Sequence, residues 1–421
     1  MINSNRKVSI FDYDWISIML FLALVIIGIT SIYSTEYTNL KEVVYDNYYF
    51  KQIIWAIFSL FLIALIGLIP VKNFKNYASL IYLISLFSLI LVLIIGAKIN
   101  GNRSWFRIGS FGLQPAEFMK MAAVLGLAKL ITDIDFDVTN IRDFLKASLL
   151  ILTPVFLILL QPDLGSAIVF LSLFLVLYRE GVDLKYFLLI FSFALLFILT
   201  VYWGQKTMIA ILAGLYILIN LMAFYLFKKK IWIKSFLLFL LFAGIVLTTN
   251  IIFHHVLKPH QKNRIEIVLG KKKDDKGTGY NLKQGLIAIG SGGFSGKGLD
   301  MSTQTKGYYI PAQPTDWIFT VIGERWGFLG SITVVIIFVL LLIRLLFLAE
   351  RQKDKFVRVI GYGVISIILI HFSLNLMMVL GLFPTIGIPL PFISYGGSSL
   401  WAFTIMLFIF LKLDAHRKEN W

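Results

Sequence analysis

Residues 15–33 read WISIMLFLALVIIGITSIY and decide the fold class of this chain. The stretch contains no charged side chain. An apolar helix of about 20 residues is long enough to cross a hydrocarbon layer roughly 30 Å thick. Inside lipid the backbone must satisfy its own hydrogen bonds, and an α-helix does so within one segment. This stretch therefore predicts a transmembrane helix.

Similar apolar runs follow along the whole chain of 421 residues, of which 58% are hydrophobic and 15% charged. Twelve runs are predicted as spans, some of them short. Their bounds are 15–33, 53–68, 78–97, 117–130, 149–160, 165–177, 186–202, 208–227, 236–253, 317–346, 359–380 and 400–411. The predicted fold class is therefore all-α, a polytopic transmembrane helix bundle of about 12 spans that forms one domain over residues 1–421.

Loops rich in Lys and Arg alternate along the chain with loops that are poor in them. Basic loops are typical of the cytoplasmic side of a membrane protein. Both termini are therefore predicted to be cytoplasmic, and residues 254–315 form one large extracytoplasmic loop. The N-terminus lacks the pattern of a signal peptide, so the first helix is expected to stay as an anchor. The basic loop residues are Arg6, Lys7, Lys72, Lys75, Arg142, Lys146, Arg179, Lys185, Lys228, Lys229, Lys230, Lys234, Arg351, Lys353, Lys355, Arg358, Lys412, Arg417 and Lys418.

Composition excludes several function classes. The formal net charge is +16, but most of the excess lies in predicted cytoplasmic loops, where it meets anionic lipid headgroups, so no nucleic-acid partner is predicted. The chain has no cysteine, which excludes disulfides, thiolate metal sites and a Cys nucleophile. His254, His255 and His260 lie close together without further ligands at set spacing, so no metal site is predicted.

Ionisable groups at bilayer depth point to function, and four polar clusters lie on the predicted outer side. In the first cluster, Pro115 suits the first turn of a helix, which places Glu117 and Lys120 on one helix face three residues apart. An ion pair is predicted, and a structural anchor and a functional role stay equally open. Arg103 belongs to the interfacial belt before this helix.

The second cluster is QPDLGSA at residues 161–167, between two short apolar runs. Asp163 is predicted to cap the helix that begins near Leu164, because a carboxylate accepts from the free amides of a helix start.

The third cluster lies in the loop 254–315, which is too long to be a mere connector. In this loop, Lys271–Lys273 come directly before Asp274 and Asp275, and glycines follow within 290–298. A phosphate or pyrophosphate ligand and a solvated charge run both fit such a cluster. No Walker motif is present, and the glycines lack the preceding strand of a Rossmann site.

The fourth cluster has two parts. Residues 309–317 lead into a span that carries Glu324 and Arg325, and residues 383–399 lead into the last span. Pro, Gly and Ser at this density break helices, and broken backbone at membrane depth is tolerated only where it is buried in protein or lines a cavity. An outward-facing cavity near the start of the final helix is predicted.

Together these residues resemble the SEDS family (shape, elongation, division and sporulation), and within it the RodA branch. The resemblance covers nearly the whole chain, in family order. The GIPLPF wording at 387–392 is closer to RodA than to the division paralogue FtsW, which usually has Thr in place of Pro389. The motifs are QPAEFMK at 114–120, QPDLG at 161–165, Asp274 with GTGY at 277–280, GSGG at 290–293 with GKG at 296–298, Thr315 with Asp316, and PLPFISYGGSS at 389–399.

The resemblance implies a peptidoglycan glycosyltransferase that polymerises lipid II into glycan strands during cell elongation and cell-shape maintenance. Its implied location is the bacterial cytoplasmic membrane, with the active site on the outer face. The implied partners are lipid II, a class B penicillin-binding protein transpeptidase and the membrane proteins of the elongation complex. No cofactor is implied with certainty, and a divalent cation, Mg²⁺ or Mn²⁺, stays open.

The family's site residues carry over by motif. Asp274 matches the catalytic Asp of the large outer loop, six residues before Tyr280. Glu117 and Lys120 match a charged pair that in the family lies near the central cavity. The further residues expected to contact substrate are Arg103, Asp163, Lys273, Gln284, Thr315, Asp316, Ser394 and Ser398.

The chain departs from the family pattern in two places. The family usually has Pro after the catalytic Asp, whereas Asp275 stands here, so either carboxylate could be the base. The family also usually has ten spans, and residues 205–253 are predicted to be an extra helix pair inserted before the large loop.

The implied reaction needs few groups. Pyrophosphate leaves without a general acid, so one base must take the proton from the attacking sugar hydroxyl, and cations must stabilise the departing charge. Asp274 and the neighbouring lysines would supply both. Attack opposite the leaving group would invert the anomeric carbon.

Three alternatives stay open. A lipid II flippase would keep its charges near the midplane and show inverted repeats, and neither is visible here. A structural scaffold would make changes at Asp274, Glu117 and Lys120 silent in a polymerisation assay. The division or sporulation paralogue would perform the same reaction elsewhere in the cell cycle.

Overall fold

The computed structural model describes residues 10–36, 47–99, 102–109, 111–228, 232–272 and 278–417. Within these ranges, ten helices are long and apolar enough to cross a membrane. The helices are α1 (Trp15–Glu36), α2 (Tyr48–Leu68), α3 (Val71–Asn76), α4 (Ala78–Ile95), α5 (Pro115–Ile131), α6 (Ile141–Leu160), α7 (Leu164–Phe170), α8 (Phe174–Arg179), α9 (Leu184–Trp203), α10 (Gln205–Phe227), α11 (Trp232–Ile251), α12 (Pro259–Val268), α13 (Thr278–Ser291), α14 (Ile318–Glu350), α15 (Lys355–Val379) and α16 (Gly397–Ala415).

The predicted helix bundle is confirmed, and ten of the twelve predicted runs fall in these long helices. The other two runs form shorter helices. One is α5, with 17 residues, and the other is the broken segment of α7 and α8. A three-stranded antiparallel sheet, which was not predicted, precedes α5; its strands are β1 (Ala97–Ile99), β2 (Asn102–Ile108) and β3 (Phe111–Leu113).

The chain divides into two compact units, residues 1–181 with 276–421, and residues 182–275. The first unit contains α5, α15 and α16, most of whose residues are buried. Small residues allow α5 to approach both α4 and α15 closely. A Cβ on Gly126 of α5 would lie 3.1 Å from the ring of Tyr82, and one on Gly363 of α15 would lie 2.7 Å from Val124. The short α5 is therefore an internal helix of this unit.

Ion pairs collect at one end of the first unit. Arg179 binds Glu350 at 2.6 Å, Arg358 binds Glu180 at 2.9 Å, and Arg344 binds Asp14 at the start of α1. Five of these residues belong to or flank the loops that are predicted to be cytoplasmic, and Arg344 lies in the last two turns of α14. Pairing there keeps the charges at the ends of the helices and away from the apolar interior.

The second unit is built from α9, α10, α11 and α12. Its core contains Leu196, Met208, Leu212, Ile245 and Val246. The helices α10 and α11 occupy the segment 205–253, which was predicted as an extra helix pair. That the family pattern lacks this pair stays a prediction. The segment 254–315, predicted as one loop, contains the helices α12 and α13.

The helix α14 has a break near its first third, at Gly327, where φ is 63°. The loop before α14 supplies a hydrogen-bond partner at this break, because Gly293 O accepts from Phe328 N at 2.9 Å. A Cβ on Gly296 would lie 2.2 Å from Arg325 O, so only glycine permits this approach. The glycine-rich segment of the third cluster thus has a packing role.

Glu324 of α14 is fully buried and fixes the neighbouring loop. Its carboxylate accepts from the backbone N–H groups of Thr303, Gln304 and Thr305 at 2.8 to 2.9 Å, and from the Thr305 hydroxyl at 2.6 Å. Hydrogen bonds to a charged acceptor contribute more than neutral ones. Glu324 therefore holds the loop that leads into α14.

We expect Glu324→Gln to lower the free energy of unfolding by about 3 kcal/mol, because an amide cannot accept from all four donors and leaves buried N–H groups unpaired. Thermal unfolding of the detergent-solubilised protein measures this loss. Glu350→Gln is the control, since its carboxylate is exposed and its ion pair is with the exposed Arg179. Equal melting temperatures for the two variants would contradict the role of Glu324.

Candidate active site

The charged pair at the start of α5 forms as the spacing predicted. Lys120 Nζ lies 2.7 Å from Glu117 Oε1, and the two side chains are 1% and 3% exposed. Pro115 occupies the first turn, so the Glu117 carboxylate also lies near the positive end of the helix dipole. An ion pair this deeply buried is costly to form, and such pairs often mark functional sites.

Lys120 has two further partners that the spacing did not predict. Its Nζ lies 2.8 Å from His371 Nε2 of α15 and 4.9 Å from the centroid of the Phe403 ring on α16. The ammonium group therefore joins three helices of the first unit. Glu117 Oε2 accepts no hydrogen bond from the described residues.

Asp163 caps α7, as predicted. Its Oδ1 accepts from Ser166 N at 3.0 Å, and its Oδ2 accepts from the Ser166 hydroxyl at 2.8 Å. Oδ2 also accepts from Gln114 Nε2 at 2.9 Å, and Gln114 directly precedes α5. The cap therefore ties the start of α7 to the start of α5, close to Glu117 and Lys120.

Residues 388–395 pack against the residues that precede α14. The Ser394 hydroxyl donates to Thr315 O at 2.6 Å and accepts from Leu390 N at 2.8 Å. Asn375 Nδ2 donates to Asp316 O at 2.8 Å and to Ile388 O at 2.7 Å. The broken backbone here is buried in protein, and the cavity predicted beside it stays a prediction.

The other predicted site residues are scattered. Ser398 is buried in the first turn of α16, Arg103 is exposed on β2, and Gln284 is partly buried on α13. Asp274 and Lys273, which carry the catalytic prediction, lie outside the described residues. The structure thus brings together Glu117, Lys120, Asp163, Thr315, Asp316 and Ser394 around α5 and α15.

Three residues of this network were missed by the sequence analysis. His371 and Asn375 lie one turn apart in the predicted span 359–380, where polar side chains are rare. Two polar side chains in an apolar span were the sequence signal that could have identified them. Gln52 was also missed, and it donates to Ser394 O at 3.4 Å and accepts from Gly396 N at 3.3 Å.

The described residues contain no group of three or more His, Asp or Glu side chains that could hold a metal ion. The carboxylates at 274 and 275 are outside the described ranges, so the fit of a divalent cation is decided by experiment.

Comparison with known proteins identifies the family. The family model for cell cycle proteins of the FtsW, RodA and SpoVE type matches residues 14–215 and 211–419. The chain belongs to this family. The SEDS family predicted from the motifs is therefore confirmed, and the two matched pieces of the family model meet inside α10.

Individual relatives of this family cover the chain almost completely. The peptidoglycan glycosyltransferase RodA of Treponema pallidum is 32% identical over 430 residues, which cover 96% of this chain and 98% of that protein. The probable peptidoglycan glycosyltransferase FtsW of Trichlorobacter lovleyi is 29% identical, over 97% of this chain and 94% of that protein.

One chain of a solved structure has the same fold. It comes from a peptidoglycan synthase complex described as coordinating polymerization and crosslinking. This chain matches it with a TM-score of 0.69 at 27% identity, over 97% of this chain and 99% of that one.

Proposed function

We propose that this chain is a peptidoglycan glycosyltransferase of the RodA branch, which polymerises lipid II on the outer face of the bacterial cytoplasmic membrane during cell elongation. The observation that carries the proposal is the near full-length similarity to proteins named for this activity. The buried pair Glu117–Lys120 supports it, because an ion pair buried inside a membrane protein is costly and often marks a functional site.

The proposed reaction is an inverting transfer. Asp274 takes the proton of the attacking sugar hydroxyl, the oxygen bonds to the anomeric carbon, and the bond to undecaprenyl pyrophosphate breaks, so that the leaving group departs as the pyrophosphate anion. Cationic side chains near this group stabilise the departing charge. Lysines flank Asp274 at 271–273 and at 276.

One face of α13 presents mostly apolar side chains beside a single cation. Its residues are Gly279, Leu282, Lys283, Leu286 and Ile287. Apolar side chains beside one cation suit a lipid that carries an anionic headgroup. We propose that part of the polyprenyl chain lies along this face of α13.

Polymerisation of labelled lipid II by the purified chain tests the function. We expect glycan strands on a gel when the cognate class B penicillin-binding protein is present, because the solved relative is part of a complex for polymerization and crosslinking. A chain that translocates lipid II across liposomes but forms no strands with its partner would instead be a flippase.

The same assay decides the cation question. Strand synthesis that EDTA stops and Mn²⁺ or Mg²⁺ restores would assign charge stabilisation to a divalent cation. Synthesis that EDTA leaves unchanged would assign it to the lysines near Asp274.

The predicted topology can be tested cleanly because the chain has no cysteine. Met301, 76% exposed before α14, should lie outside, and exposed Lys353 should lie in the cytoplasm. We expect an impermeant maleimide to label Met301→Cys in intact spheroplasts and Lys353→Cys only after lysis. The opposite labelling pattern would reverse the orientation and place the proposed site on the wrong face.

A further inference from the structure

Two polar side chains one turn apart on α15 bind different parts of the candidate site. His371 and Asn375 are both almost completely buried in a helix of 25 residues that is otherwise mostly apolar. At a spacing of four residues they lie on the same helix face. Burying such groups costs free energy unless each one finds a partner. Their partners therefore show what this face of α15 does.

The contacts of His371 fix its tautomer. Nε2 lies 2.8 Å from Lys120 Nζ, and an ammonium group has donors but no acceptor. Nε2 must therefore accept, so the proton of the neutral ring is on Nδ1. Nδ1 lies 3.3 Å from Pro389 O and donates to it. The imidazole thus connects the buried ion pair of α5 to the start of segment 389–396.

Asn375 anchors the same segment from one turn further along α15. Its Nδ2 donates to Ile388 O, next to Pro389, and to Asp316 O. Both contacts end on backbone carbonyl groups, so Asn375 fixes the path of the chain. His371 differs because one of its two contacts is to a charged side chain of the candidate site.

We infer that His371 is a positioning residue for the proposed transfer reaction, and that it acts by orienting the ammonium of Lys120 through the Nε2 contact. The inference rests on the proposed function. Glu117 alone holds Lys120 from its own helix, and one bond leaves the long lysine side chain free to rotate about it. A second acceptor on a different helix fixes the direction of the ammonium group. The Phe403 ring closes a further side.

Two substitutions separate the two contacts of His371. The side-chain amide atoms of Asn lie at the same number of bonds from Cα as Nδ1 of His. Those of Gln lie one bond further out, as Nε2 of His does. His371→Asn can therefore keep a donor for Pro389 O but has no acceptor that reaches Lys120. His371→Gln can keep the acceptor for Lys120 and loses the donor to Pro389. The pair is matched in polarity and differs by one methylene group.

We expect His371→Asn to lower the rate of strand synthesis at saturating lipid II at least about tenfold, because misplacement of a group in the site is costly. His371→Gln should retain most of the wild-type rate. Melting temperatures in detergent should be similar for the two variants. If His371 were only structural, the rate of strand synthesis would fall in each variant in proportion to its loss of melting temperature.

Equal rates for the two variants, or a faster His371→Asn than His371→Gln, would overturn the inference. Loss of folding by His371→Asn alone would also overturn it, since the Lys120 contact would then be structural. The wild-type chain separates this result from the proposed function. Strands from the wild type with no difference between the variants refute only the role of His371, whereas no strands from the wild type refute the function itself.

Discussion

Asp274→Asn is expected to lower glycan strand synthesis by at least about a hundredfold, the scale of a lost general base, while folding and expression stay unchanged. The amide has the size of the carboxylate but cannot take the proton from a sugar hydroxyl. The expectation follows from the family motif, in which this position, six residues before Tyr280, carries the catalytic Asp. The measurement is polymerisation of labelled lipid II by purified protein with its transpeptidase partner.

Asp275→Asn is the matched variant for this prediction, because it removes an identical carboxylate one position further along the same polar segment. It should retain most of the activity. An inactive Asp275→Asn beside an active Asp274→Asn would move the base by one residue. Full activity of both single variants would contradict a base at either position, and the double variant would then show whether the two share the proton.

Lys120→Met is expected to give the second largest effect, a loss of about 3 to 5 kcal/mol in the free energy of unfolding together with loss of strand synthesis. Glu117 would stay buried without its counter-ion, and Glu117 Oε2 already has no hydrogen bond from the described residues. Thermal unfolding in detergent and the polymerisation assay measure the two losses.

The double variant Glu117→Gln with Lys120→Met separates stability from activity. Removing both charges leaves no unpaired ion, so the melting temperature should recover relative to Lys120→Met. Strand synthesis should not recover, because the ammonium is still missing. A double variant that polymerises at the wild-type rate would show that the pair is only a structural anchor.

The pair Asp143–Lys146 on α6 gives a matched control for these variants. It has the same spacing of three residues and the same N–O distance of 2.7 Å, but the Lys146 side chain is 64% exposed. The Asp143 side chain is 9% exposed, but its carboxylate also accepts from Asp137 N, and water screens the exposed ammonium, so Lys146→Met should lower the melting temperature far less than Lys120→Met. Burial, and not the ion pair as such, would then explain the effect at Lys120.

The sequence predicted the features that depend on neighbours along the chain. The apolar runs predicted the spans, the spacing of Glu117 and Lys120 predicted their ion pair, and Asp163 was correctly predicted as a helix cap. The family followed from the order of several motifs and is confirmed. The catalytic role of Asp274 stays a prediction.

The less regular features escaped prediction because they have no periodic signal. In the sheet before α5, β1 and β3 have only three residues each, and the seven residues of β2, NRSWFRI, do not alternate between polar and apolar. The segment 254–315 was predicted as a loop from its polarity, although α12 and α13 form within it.

By itself, the sequence determined which apolar runs form helices and which polar groups share a turn, since these properties follow from helix periodicity and the thickness of a bilayer. Only the tertiary structure decided that Lys120 meets His371, 251 residues away, and that Asn375 holds the backbone at Asp316 and Ile388. The physical reason is that such contacts depend on how closely whole helices approach. Gly363 sets that distance where α15 packs on α5, and no local pattern in the sequence encodes which helices will meet there.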